Sequence, residues 1–409
     1  MACAACKISS VTATERQHIG SRERVLIRTF PPNSNANYGG VLQAWALQRT
    51  LKSLGHEVDV DSTRTDELAT WKTHIRHAIR HAAVRSIPPA LVPGRLWAFF
   101  YRDVIKAPVL EFSAAEMSTV PLYLSSGNVD PVRLADYTAF VVGSDQVWRP
   151  QYVDVRSYLL DFLPNRFSGP RVAYAASFGT ANPHFTDSLV EATAPLARKF
   201  TEVSVREESG RQLCRELWGI EAKRVVDPTL LVPESAYLAL AEKADVPPIL
   251  DGLVSYILDS DGELAASTRR ASSALGAPLI EVRSQPGRRR RQGWSGASVA
   301  RRMSIYEWLL HFSTAKYVVT DSFHGCVFAV IFRKQFAVVP NEARGRARFE
   351  TFLGDLGLES RSVENLDDLR RTLEEPIEWI AVEQRLSELR DFSISFLTRA
   401  LDRENLRHS

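Results

Sequence analysis

The chain has 409 residues, 45% of them hydrophobic and 24% charged. That balance excludes a disordered polymer, and at roughly 100–200 residues per domain the length excludes a single small module. Lys and Arg number 51 against 48 Asp and Glu, a formal charge of +3, so no nucleic-acid partner is expected and any anion site has to be local. Four cysteines are too few for a disulfide framework, which points to a reducing compartment. Cys3 and Cys6 lack the second ligand pair that zinc would need, and no metal is expected. The first 20 residues have no secretory apolar stretch, and no run approaches the roughly 18 apolar residues of a membrane span, so a cytoplasmic location is expected.

In chain order, residues 1–23 read as a disordered segment, after which short β-branched runs alternate with amphipathic helical stretches. A strand at 25–29, a helix at 41–54 and strands at 57–61, 140–142, 171–176, 202–205 and 224–226 form a first series. A proline-marked break at 244–250 (ADVPPIL) precedes a second series of strands at 253–258, 279–282, 317–320 and 336–339. The expected fold class is therefore α/β, with an N-terminal Rossmann-like domain at 24–243 and a C-terminal one at 244–375. Residues 66–126 read as a helical insertion in the first, and 376–409 as a C-terminal helical tail.

Parallel sheets bind ligands beyond the carboxyl ends of their strands, so polar residues placed there carry weight. After the first strand comes PPNSNANYGGVLQAWALQ, in which Asn35 or Asn37 can cap the helix and Gly39 with Gly40 lets backbone approach a ligand. A tight connection would look the same. After 140–142, Ser144, Asp145 and Gln146 offer hydrogen bonds and Trp148 a flat face suited to a sugar; an Asx-turn with a core tryptophan reads equally well. YAASFG ends in Ser177, Phe178 and Gly179. Arg206 follows the next strand, able to clamp a carboxylate or phosphate or to be held by Glu207 or Glu208.

The segment AKYVVTDSFHGCVFAVIFRKQFAVVP places Ser322 and His324 at the corner between an apolar strand and an apolar helix. There the helix dipole disfavours imidazolium unless an anion restores it, and a bound phosphate would do so. Beyond it, one of Arg344, Arg346 and Arg348 is expected to contact an anion and the others to be solvated. Cys214 and Cys326 read as packing residues. His74, His77 and His81 share a predicted basic helix, whose default is a solvated face; the same helix could approach an anionic membrane. Arg288 to Arg291 lie in a turn-prone loop, solvated or closing over an anionic substrate.

Through NYGGVLQAWALQ, VVGSDQVW, VAYAASFG, SVREESG, VVDPTLL and TDSFHGCVFAVIF, in that order, the sequence resembles the polysaccharide pyruvyl transferase family. The resemblance implies two Rossmann-like domains facing a cleft (GT-B-like), phosphoenolpyruvate as donor, a sugar, glycan or lipid-linked sugar as acceptor, a pyruvate ketal as product, and no cofactor. The histidine that handles the donor corresponds to His324, as general acid or as the group stabilising the leaving phosphate. Some members read R-L-H at this corner where this chain reads Ser322, Phe323, His324, so Arg206 and Arg348 are the expected donor-binding arginines, with Ser322 beside them. Asp145 is expected to activate or orient the acceptor, which Asn37, Tyr38, Gly39, Gly40, Gln43, Ser144, Gln146 and Trp148 would contact. A lipid-linked acceptor would bring the protein to the inner face of a membrane, and a homo-oligomer is compatible with all of this. The rivals are a GT-B glycosyltransferase using a nucleotide sugar and a non-catalytic carbohydrate-binding protein.

Overall fold

A computed structural model of the chain describes residues 22–32, 37–63, 102–124, 126–258, 262–283, 303–340 and 345–402. Asn35, Arg344, Cys3, Cys6, the three-histidine helix and the Arg288 to Arg291 loop lie outside them, as does the first part of the expected insertion.

The strands are β1 Arg24–Arg28, β2 Glu57–Asp61, β3 Thr119–Val120, β4 Ala139–Val142, β5 Arg171–Ala176, β6 Glu202–Val205, β7 Lys223–Arg224, β8 Leu253–Ile257, β9 Leu279–Arg283, β10 Tyr317–Thr320 and β11 Gln335–Val338. The helices are α1 Tyr38–Ser53, α2 Arg102–Glu116, α3 Pro131–Ala135, α4 Asp187–Ala197, α5 Glu208–Leu213, α6 Glu234–Ala241, α7 Gly262–Leu275, α8 Ile305–Thr314, α9 Phe323–Ile331, α10 Arg346–Leu356, α11 Leu369–Glu374 and α12 Trp379–Leu401. Seven strands form one sheet in the order β3-β2-β1-β4-β5-β6-β7 and four form a second in the order β11-β10-β8-β9. All the strand pairs are parallel. Parallel strands are covered on both faces, which is why AFVV of β4 and RVAYAA of β5 are buried throughout.

The first sheet precedes the 244–250 break and the second follows it. Sequence order reverses between β1 and β4 and again between β8 and β10, and such reversals open the crevices in which α/β proteins bind ligands. The expected strand at 224–226 is shorter, Lys223–Arg224. Val225 still bonds Val205 (3.1 Å), but Asp227 turns the chain by capping a 3₁₀ turn at Pro228–Leu230. In the described part of the insertion, α2 is followed by β3, an edge strand that its two-residue length concealed.

Two helices tie the lobes together. One face of α1 (Ala44, Leu47, Leu51) lies on the first sheet, while Tyr38, Val41, Leu42 and Trp45 pack with Tyr256, Trp308 and Phe328 of the second lobe. A helix serving two cores is apolar nearly all round. α6 packs between α1 and the second lobe, with Tyr237 5.0 Å from Phe328 and 5.4 Å from Trp45 between ring centroids. α12 starts in the second lobe, with Val382 and Leu386 in one core with Leu353, and ends under the first sheet, where Phe396, Leu397, Ala400 and Leu401 are buried. Polar ties keep its register: Arg390 Nε donates to Leu230 O (2.6 Å) and the Val226 N–H to Ser393 Oγ (3.1 Å). Among the described residues no helix is long and apolar enough to cross a membrane.

Candidate active site

The carboxyl ends of β4, β5 and β6 in one lobe and of β10 in the other deliver their polar residues to one place. Its centre is Asp227, 1% exposed. Asp227 Oδ1 accepts the Thr229 N–H (3.1 Å) and hydroxyl (2.7 Å). Its Oδ2 accepts Arg206 Nη1 at 2.7 Å and the Ser144 hydroxyl at 3.3 Å, and His324 Nε2 lies 3.6 Å away. Imidazole from the second lobe and guanidinium from the first therefore meet on a single carboxylate oxygen. Burial works to raise the Asp227 pKa, but His324, Arg206 and the Thr229 hydroxyl overcome it and hold the carboxyl well below the usual range.

Arg206 also reaches Asp145 Oδ1 (Nη2, 3.4 Å) and lies 3.9 Å from Glu207 Oε2 through Nε. Burial disfavours its charge, yet Asp227, Asp145 and Glu207 together raise its pKa. Glu208, the other expected partner, pairs with Arg211 instead. Arg348 reaches the same cluster from the first turn of α10 and is 6% exposed, whereas Arg346 sits at the rim in ion pairs with Glu350 and Glu364. Burial, with Arg206 adding like charge, lowers the Arg348 pKa to about 10, so it stays cationic at neutral pH.

At the helix corner, Ser322 caps α9 by accepting the Gly325 N–H (3.4 Å). The next residue, Phe323, is a shelf for both arginines: its ring centroid is 4.4 Å from Cζ of Arg206 and 5.5 Å from Cζ of Arg348. The N-terminus of α1 closes in from the opposite lobe, capped by Asn37, which accepts the Gly39 N–H (3.1 Å). A Cβ on Gly39 would stand 2.2 Å from Cγ and Nδ1 of His324. Glycine here is a requirement of contact between lobes. Gly39→Ala is expected to displace the imidazole and lower turnover by about ten- to a hundredfold in a folded protein, as a misplacement of about 1 Å does; steady-state rates beside a melting curve measure this.

Several residues expected to contact the acceptor are engaged elsewhere. Trp148 is 1% exposed, its ring 4.9 Å from that of Trp218 and 5.3 Å from that of Phe178, so it is a core residue and not a platform for a sugar. Tyr38 is buried between Tyr256 and Trp308 and donates to Met303 O (2.6 Å). Gln43 positions a loop: its Nε2 donates to the Thr29 hydroxyl (3.0 Å) and its Oε1 accepts the Ser144 N–H (3.1 Å), which fixes the chain just before Asp145. Gly40 is buried beside Asn37. Asn37 and Gln146 are half-buried, and Gln146 Oε1 accepts from Arg149 (2.8 Å).

Asp227 is the central residue that reading strand ends overlooked, although it lies in VVDPTLL; an Asp-Pro directly after a short strand was the available signal. In the sequence Glu207 reads only as a partner for Arg206. It is 2% exposed, with Oε1 accepting the Ser177 hydroxyl at 2.7 Å. Cys326 and Cys214 are wholly buried and burial pushes both thiols up, which suits packing and not nucleophilic attack. Among the described residues no group of three or more His, Cys, Asp and Glu is arranged to hold a metal ion.

Two parallel α/β lobes, joined by α1 and α12, thus enclose a buried His–Asp–Arg junction at the crevice where such folds bind ligands. The polysaccharide pyruvyl transferase family model matches residues 37–342, and the chain belongs to that family. No curated protein sequence matches it. Among solved structures it is similar to the glycotransferase of kitacinnamycin, at 14% identity and a TM-score of 0.40, covering 93% of this chain and 100% of that one. It is also similar to UDP-GlcNAc 2-epimerase from Methanocaldococcus jannaschii, at 12% identity and a TM-score of 0.44, covering 87% of this chain and 92% of that one.

Proposed function

We propose that this transferase moves the pyruvyl group of phosphoenolpyruvate onto two hydroxyls of a sugar or glycan, forming a ketal and releasing phosphate. The observation that carries the proposal is the meeting of His324 and Arg206, from opposite lobes, on one oxygen of Asp227. A small dianionic or trianionic enol needs fixed guanidinium groups and helix N-termini in a water-excluded site. Arg206, Arg348 and the N-termini of α1 and α9 are of that kind. His324 is assigned to the leaving phosphate. Asp145, held beside Arg206, is assigned to orienting the acceptor hydroxyl.

Arg348 is assigned the role of the arginine that this chain lacks at Ser322. The reason is the Phe323 shelf, which carries the Arg348 guanidinium beside that of Arg206. His324, Asp227, Arg206 and Arg348 are each at most 6% exposed, so the junction excludes water.

The test is mass spectrometry of a panel of sugars, oligosaccharides and lipid-linked sugars incubated with phosphoenolpyruvate and the protein, with inorganic phosphate assayed in parallel. The expected result is the pyruvyl mass increment on an acceptor, matched by phosphate. Hexose transfer from a nucleotide sugar with no pyruvyl increment would establish the glycosyltransferase rival instead.

A further inference from the structure

We propose that Glu207 is the acid that protonates the methylene carbon of the enol donor, an inference that rests on the pyruvyl-transfer reading above. Ketal formation turns that methylene into a methyl group, so one side chain has to deliver a proton to carbon while others handle phosphate and acceptor. Three carboxyl groups face Arg206. Asp227 is held ionised with both oxygens occupied, which removes it as a proton donor. Asp145 Oδ1 is engaged by the Arg206 guanidinium. Glu207 differs: Ser177 occupies Oε1, while Oε2 is buried with no hydrogen-bond partner, 3.9 Å from Arg206 Nε and beyond hydrogen-bond reach. Burying such an oxygen costs far more when the carboxyl is charged than when it is protonated.

Around Glu207 stand Arg206 beside it, Arg348 from α10, the Ser177 hydroxyl and Phe178 N–H after β5, and the Cys214 thiol behind. Burial outweighs the two arginines and the hydrogen bonds, and the carboxyl lies above its ordinary range. A phosphate and a carboxylate arriving on the donor add negative charge beside it and raise it further, so the loaded site holds Glu207 as an acid.

The step balances. The Glu207 O–H bond breaks and its proton bonds to C3 through the π electrons of the enol. C2, left electron-deficient, takes a lone pair from the first acceptor oxygen, whose proton restores Glu207. When the second oxygen bonds to C2, the bond from C2 to the phosphate oxygen breaks with its electron pair, and the second hydroxyl proton leaves on phosphate.

The experiment compares wild type with Glu207→Gln, using phosphoenolpyruvate alone for calorimetric binding and, for turnover, an acceptor found by the mass-spectrometric panel. The expected variant binds phosphoenolpyruvate within about threefold of wild type, transfers at least ~100-fold more slowly, and loses the fall of kcat/KM at alkaline pH that deprotonation of Glu207 imposes. Turnover within about threefold of wild type would overturn the assignment. A wild type that transfers no pyruvyl group to any acceptor sinks the pyruvyl-transfer reading itself, which is a distinct outcome. Should Glu207→Gln not fold, Ser177→Ala decides. Losing that hydrogen bond to the carboxylate moves the alkaline limb up by about one pH unit, and a limb that stays in place overturns the proposal.

Discussion

Replacing His324 by Gln is expected to lower kcat by about 10² to 10⁴ while leaving the protein folded and the melting temperature within a few degrees of wild type. The imidazole is 4% exposed and its Nε2 approaches Asp227 no closer than 3.6 Å, and Asp227 keeps its hydrogen bonds to Arg206 and Thr229 without it. On the pyruvyl-transfer proposal, what Gln cannot supply is a proton at the second lobe's side of the cleft when phosphate departs. A group that acts only as charge develops should take kcat and kcat/KM down together; an interaction made equally with the bound donor would appear in KM. Near-normal turnover in a folded His324→Gln protein would remove His324 from the chemistry. A rise in KM with kcat unchanged would make it a binding group.

The strands were legible because parallel sheets demand short apolar runs flanked by turn residues, and AFVV and RVAYAA have no other economical explanation. His324 was legible because a histidine opening an otherwise apolar helix has no packing reason to be there. Arg206 was legible by its place after β6. The acceptor side was not, because a tryptophan just after a strand looks the same in sequence whether it faces a ligand or, as Trp148 does, a cluster with Trp218 and Phe178. Gln43 misled for a related reason. Its hydrogen bonds go to Thr29 and Ser144, residues 14 and 101 positions away, and only the folded chain reveals that it positions a loop. Asp227 was missed because its meaning depends on two partners, Arg206 before it and His324 in the other lobe, neither of which its local pattern announces.

One carboxylate holds Arg206 and faces His324 across the lobes, and Asp227→Asn is the substitution that tests how much stability depends on it. Removing one member of a buried ion pair leaves Arg206 with only Asp145 and Glu207, neither of which it holds as closely as its 2.7 Å contact to Asp227. The expected loss is about 3–5 kcal/mol of stability, with turnover reduced because both His324 and Arg206 lose their common anchor. Its pH dependence has a definite sign. The folded carboxyl is depressed relative to an unfolded Asp near pH 3.9. Its stabilisation is therefore fully present above that value and is lost as pH falls toward the folded pKa. Denaturant midpoints for wild type and Asp227→Asn should stay far apart from neutral pH down to about pH 4 and converge below it. A gap unchanged by acid, or a variant as stable as wild type at pH 7, would mean that Asp227 is not held as an anion between the two lobes.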